Sequence, residues 1–115
     1  MVQLTKQAFA YVFDRRTGQP VWPWVEQPVP QTDVSGEWTS PTQPIPSRPP
    51  AFDRQGVTHD DLIDFTPELR TEALKAIEGY RIGPIYTPPS VLTPTNKGTI
   101  VLPGLGGGAN WQSGA

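Results

Sequence analysis

At 115 residues and 12.6 kDa, the chain has room for one small domain at most, so two independent catalytic domains are excluded. Nine Lys plus Arg against eleven Asp plus Glu give a net charge of -2. These charges are spread along the chain, so no basic stripe exists to neutralise phosphates and no nucleic acid partner is expected. The absence of Cys and the single His exclude disulfides, thiolate metal sites, cysteine nucleophiles and multi-histidine centres.

No window approaches the roughly 20 apolar residues of a membrane span. The opening Met-Val-Gln-Leu-Thr-Lys lacks the apolar core of a signal peptide, so any export or anchoring signal lies outside these residues. The 15 Pro and 11 Gly are dense enough for a low-complexity chain. Yet four Trp, three Tyr and four Phe, with only 17% charged residues, argue for an ordered, loop-rich piece.

In chain order, the aromatic and β-branched run over residues 8–13 predicts a strand that stops at the turn chemistry of Asp14-Arg15-Arg16-Thr17-Gly18. Residues 19–24 predict the returning strand of a hairpin, pushed to an edge because Pro20 and Pro23 cannot donate to a ladder. Nine prolines from Pro20 to Pro50 predict an extended, semi-rigid insertion rather than helix or central strand. Thr58-x-x-Asp61 reads as a capped short turn with Leu62, Ile63 and Phe65 beside it. Thr66-Pro67-Glu68 is a stronger start signal: a capping Thr, Pro at the first helical position, and a carboxylate against the helix dipole.

Leu69, Ala73, Ala76, Ile77 and Tyr80 then recur at helical spacing, with Arg70, Glu72, Lys75 and Glu78 opposite and Gly79 at the terminating position. A helix over 66–78 follows. A short strand over 99–102 leads into Pro103-Gly104-Leu105-Gly106-Gly107-Gly108, where glycines permit positive φ or close approach, and then Ala109-Asn110-Trp111. His59, Asp60, Asp61 and Asp64 raise a metal reading. Four polar groups on one short turn cannot all converge, so a solvated face is preferred. These elements do not add up to a closed core; the sheet at each end needs further strands.

Asp14-x-x-Thr17-Gly18-x-x-x-Trp22 is, by itself, a hairpin in which Asp and Thr bond the turn backbone and Trp22 packs on a neighbouring sheet. It also resembles the tryptophan-docking repeat of quinoprotein β-propellers, the dehydrogenases built around pyrroloquinoline quinone. Lys6-Gln7-Ala8-Phe9-Ala10-Tyr11-Val12-Phe13-Asp14-Arg15 is similar to the Lys-x-Gly-x-x-x-Val-Leu-Asp-Arg run of one blade, with Ala8 in place of Gly. Val29-Pro30-Gln31, Ser40-Pro41-Thr42-Gln43-Pro44, Tyr86-Thr87-Pro88-Pro89-Ser90, Gly98-Thr99 and Leu102-Pro103-Gly104 follow in the order seen in membrane-bound glucose dehydrogenases. Gly107-Gly108-Ala109-Asn110-Trp111 resembles the alcohol-oxidising branch instead.

The resemblance implies a mainly β fold: one to two blades of an eight-bladed quinoprotein propeller, with a Pro-rich insertion and one α-helix. It divides the chain into a blade hairpin (1–24), the insertion (25–98) and the start of the next blade (99–115). It implies oxidation of an aldose sugar or an alcohol by pyrroloquinoline quinone held with calcium, in the periplasm, with a quinone pool or cytochrome accepting electrons. Lys6 matches the lysine that bonds the ortho-quinone oxygens, where an ammonium stabilises developing negative charge. Asn110 and Trp111 match further cofactor contacts.

The same resemblance puts the general-base Asp, the aromatic floor under the quinone and most calcium ligands on blades not contained in these residues. The chain is then an internal piece of a larger enzyme, inactive without the remaining blades. Two other classes compete: a noncatalytic propeller scaffold, which keeps the docking repeat without needing Lys6 or Asn110, and a free-standing Pro-rich adaptor carried by residues 41–50. The adaptor leaves the helix and both Trp-bearing ends unexplained.

Overall fold

A computed structural model describes residues 1–110, so Trp111 lies outside the described residues. The first element is a tight hairpin. Strand β1 (Val2–Leu4) pairs antiparallel with β2 (Ala10–Val12), in register Val2↔Val12 and Leu4↔Ala10. The connection closes through the Thr5 amide on the Phe9 carbonyl (2.9 Å) and the Ala8 amide on the Thr5 carbonyl (3.0 Å). It requires Ala8 at φ 66°, a left-handed position that explains why Gly stands there in the run this segment resembles. The strand expected over 8–13 is therefore shorter, because its first two residues turn, and its ladder partner is β1 rather than residues 19–24.

The turn after β2 forms as its residue types dictate. Asp14 Oδ1 accepts from the Arg16 and Thr17 amides (2.7 and 3.3 Å), Thr17 Oγ1 accepts from Gln19, and Gly18 takes φ 72°. The returning strand contracts to a single Phe13↔Pro20 bridge, closed by the Val21 amide on the Val12 carbonyl and the Asp14 amide on the Gln19 carbonyl. Pro20 and Pro23 supply no N–H with which to extend it.

A second sheet forms within the segment expected to run as an extended, Pro-rich insertion. Strand β3 (Trp24–Pro28) pairs antiparallel with β4 (Thr42–Pro46), through Trp24↔Pro46, Glu26↔Pro44 and Pro28↔Thr42. The flanking bonds, Val29 N–H to the Pro41 carbonyl and Ser47 N–H to the Pro23 carbonyl, fix the phase of the ladder. Hydrogen-bonding pairs alternate in an antiparallel ladder, so Pro28, Pro44 and Pro46 all fall at positions that have no inter-strand N–H to give. Proline density is compatible with a strand when the spacing keeps to that alternation.

Helix α1 (Pro67–Ile77) begins at Thr66, whose side chain accepts from the Leu69 amide at 3.2 Å, and ends at Gly79 with φ 85°. Its half-buried stripe is Arg70, Ala73 and Ile77, rotated from the expected one, which leaves Leu69 exposed. The reason is Arg70: its Nη1 donates to the carbonyls of His59 (2.7 Å) and Leu62 (3.2 Å), which drags it inward. Ahead of the helix, a single 3-10 turn (His59–Asp61) is closed by Thr58 and Asp61, and Asp61 also pairs with Arg54 at 2.6 Å.

The strand expected over 99–102 is absent. Thr99 makes only an isolated parallel bridge with Arg81, through Arg81 N–H to Gly98 and Ile100 N–H to Arg81. Leu102 instead accepts from Gly56, whose neighbour Val57 donates to Gly83. Three extended segments are thus stitched by one or two bonds at a time, because glycine and proline interrupt them.

The core is small: among the described residues Ala8, Phe9 and Ala10 form a buried apolar run, with Pro46 and Pro88 buried elsewhere. Phe9, Tyr11 and Phe13 line one face of the β2 segment at period two, and Trp24 packs edge-on against Tyr11 and Phe13, with ring centroids 5.8 Å away in each case. Trp24, rather than Trp22, therefore makes the aromatic contact across to the first sheet. The radius of gyration is 17.0 Å, where a compact domain of this length has about 13 Å. Among the described residues the strands form two open two-stranded sheets and no closed ring.

Candidate functional site

Lys6 lies exposed in the five-residue β1–β2 connection (residues 5–9), which is closed by the Thr5 amide on the Phe9 carbonyl. The C-terminal glycine segment passes directly against it. The Gly108 amide donates to the Lys6 carbonyl at 2.8 Å, and a Cβ on Gly107, at φ 82°, would lie 2.5 Å from Lys6 Cβ. Gly107 is required by both space and conformation. Asn110 lies two residues beyond Gly108, within about 7 Å of its Cα by chain geometry. The structure thus brings the neighbourhoods of Lys6 and Asn110 together from opposite ends of the chain.

Beside this junction is a cavity of about 310 Å³, with Lys6, Ile85, Tyr86, Pro88, Ile100 and Leu102 among its lining residues. Lys6 is the one cation on a largely apolar wall. That lining suits one edge of a planar aromatic quinone: apolar surfaces for the ring, and an ammonium for an electron-rich oxygen. The described residues contain no group of three or more acidic or histidine side chains that could hold a metal ion. They do not fit a calcium site. Asp61, the nearest approach to one in the sequence, is committed to Thr58 and Arg54, which hold its carboxyl at about 2.

Two cavity features escape the sequence reading. Tyr86 sits at φ 69°, the other non-glycine residue besides Ala8 in the left-handed region, within a turn closed by the Thr87 amide and hydroxyl on the Pro84 carbonyl (3.1 and 2.6 Å). Nearby, Tyr11 donates to the Pro44 carbonyl of β4 at 2.5 Å. Burial first, then the Tyr11 hydroxyl, pushes the Tyr86 phenol up to about 12. The turn is also close-packed: a Cβ on Gly83 would meet Thr87 Oγ1 at 2.5 Å, and one on Gly56 the Gly83 carbonyl at 2.7 Å. The string Tyr86-Thr87-Pro88-Pro89-Ser90 was visible in the sequence; its left-handed backbone was not.

The model of the pyrroloquinoline quinone glucose/ethanol/alcohol dehydrogenase β-propeller domain matches residues 1–115. The chain is 36% identical, over 94% of its length, to quinoprotein glucose dehydrogenase A of Acinetobacter calcoaceticus. It is 34% identical, over 98%, to the glycerol dehydrogenase large subunit of Gluconobacter thailandicus, and 32% identical, over 95%, to quinate/shikimate dehydrogenase (quinone) of Acinetobacter baylyi. These stretches are 13%, 15% and 13% of the respective proteins. No solved structure matches the chain.

Proposed function

The chain belongs to the glucose/ethanol/alcohol dehydrogenase β-propeller family, and on that premise we propose that it supplies one wall of the quinone site in a dehydrogenase oxidising an aldose sugar or an alcohol. The supporting observation is Lys6 on an apolar cavity, locked in place by the Gly107–Gly108 segment that leads to Asn110. When bound, pyrroloquinoline quinone supplies the two-electron acceptor chemistry. Lys6 holds an ammonium at the electron-rich edge of that ring, where it stabilises charge that grows during oxidation. Asn110 adds a polar contact, and Trp111 accompanies it.

The substrate stays at the level of sugar or alcohol, because relatives named for glucose, glycerol and quinate resemble the chain to nearly equal degree. The general base, the calcium ligands and the opposing face of the quinone come, in this reading, from other blades of the same polypeptide, so the 115 residues alone are inactive. The reading sets the reaction in the periplasm, with electrons leaving to a quinone pool or cytochrome, on family resemblance alone.

Lys6→Ala in the full polypeptide tests the assignment. Turnover falls by about 100-fold or more, as when a charge-stabilising donor is removed, while circular dichroism is retained. Unchanged turnover sinks it. The competing scaffold reading keeps the docking repeat without a cofactor, and saturable quinone binding by the full polypeptide eliminates it.

A further inference from the structure

We infer that Thr99 is a positioning residue for the quinone cavity, its hydroxyl tying together two of the chain segments that line it; the inference rests on the cavity being the quinone site. Ile85, Pro88 and Pro89 line the cavity from one segment, Ile100 and Leu102 from the other. Among the described residues no backbone hydrogen bond joins residues 84–90 to residues 99–105, and Pro84, Pro88 and Pro89 have no N–H with which to make one. Thr99 spans the gap instead. Its Oγ1 donates to the Pro88 carbonyl at 3.0 Å and meets Ser90 Oγ at 3.1 Å.

The direction of these bonds follows from the protons available. A hydroxyl has one proton to give and lone pairs with which to accept. Thr99 spends its proton on the Pro88 carbonyl, so at the 3.1 Å contact Ser90 is the donor. Ser90 then accepts from Asn96 Nδ2 at 3.0 Å, its contact with Asn96 Oδ1 being longer at 3.4 Å. Asn96 is itself oriented by the Gly98 amide, which donates to Oδ1 at 2.9 Å. The result is a one-way chain from Asn96 through Ser90 and Thr99 to Pro88, in which each bond polarises the next. All three side chains are half-buried. The hydroxyl that ends the chain sits one residue before Ile100 and acts on the carbonyl of Pro88, two residues that line the same cavity as Lys6. Without that hydroxyl, no hydrogen bond sets the spacing of the two segments.

The test is titration of the cofactor-free full polypeptide with pyrroloquinoline quinone in the presence of calcium, followed by quenching of Trp fluorescence. It compares the parent with Thr99→Val, Thr99→Ser and Lys6→Ala, and unfolding midpoints are measured alongside. Thr99→Val keeps the shape of the side chain and removes the hydroxyl, whereas Thr99→Ser keeps the hydroxyl. Thr99→Val raises the dissociation constant about fivefold, the worth of one neutral hydrogen bond, and Thr99→Ser stays within about twofold of the parent. Unchanged affinity in Thr99→Val, with Lys6→Ala weakened, overturns the role of Thr99 and leaves the site intact. That holds even where the unfolding midpoint falls, because a merely structural hydroxyl lowers stability alone. A serine variant as weak as the valine variant also overturns it, because the methyl group rather than the hydroxyl then matters. Unchanged affinity in Lys6→Ala overturns the site and the inference with it.

Discussion

Ala8 carries the tightest constraint of any single residue, because it combines φ 66° with a side chain that is 0% exposed. Left-handed backbone costs a non-glycine residue about 1–2 kcal/mol, and a β-branched side chain adds crowding at the same φ. Ala8→Val therefore destabilises by about 2–3 kcal/mol, since the extra methyls must also enter a position that is 0% exposed. Ala8→Gly relieves the strain but returns about 0.4–1 kcal/mol through the unfolded chain, so it stays close to the parent. Denaturation midpoints of the full polypeptide check both, and a Val variant as stable as the parent contradicts the argument. At this scale the sequence was informative where local chemistry decides, as at Asp14 and Gly18. Tyr86 was opaque because nothing in its residue type signals a left-handed backbone.

Elements were legible in proportion to how local their signals are. The Thr66 cap and Pro67 lie beside the bonds they make, so the helix forms where those residues place it. Strands β3 and β4 were hidden because proline counts alone suggest loop, whereas the alternation of Pro28, Pro44 and Pro46 against a partner strand is visible only once the register is known. The 3-10 turn at His59–Asp61 was visible as Thr58-x-x-Asp61, and it yields a pH dependence. Bonds from the Thr58 amide and hydroxyl, then Arg54, lower the Asp61 carboxyl from 3.8 to about 2. A depressed carboxylate stabilises the fold above its unfolded value and loses that contribution as the pH falls through its folded one. The cap therefore persists at pH 4 and is lost between about 4 and 2. The carboxyl carbon shift of Asp61, followed by NMR, checks this, and a midpoint at 3.8 contradicts it.

At the scale of the whole molecule, hydrophobic burial is what offsets the entropy of ordering the chain, and here very little is buried. Phe65 is 83% exposed, Trp38 80% and Leu105 85%, while helix α1 contains no buried residue. The surface is 8108 Å², where a compact protein of this mass has about 6200 Å². Two two-stranded sheets, tied across by the Tyr11–Pro44 bond and the Trp24 ring, also leave strand edges open to pairing. In the proposed reading, such a body gains cooperativity only when further blades cover the exposed aromatics and complete the sheets. The isolated 115 residues therefore give no cooperative thermal transition by calorimetry and bind a dye for exposed apolar surface. The same Trp residues, reported by near-ultraviolet circular dichroism in the full polypeptide, lose their signal in one sharp step. A sharp calorimetric transition in the isolated chain, with equal calorimetric and van't Hoff enthalpies, would overturn this and make the chain a domain that folds by itself.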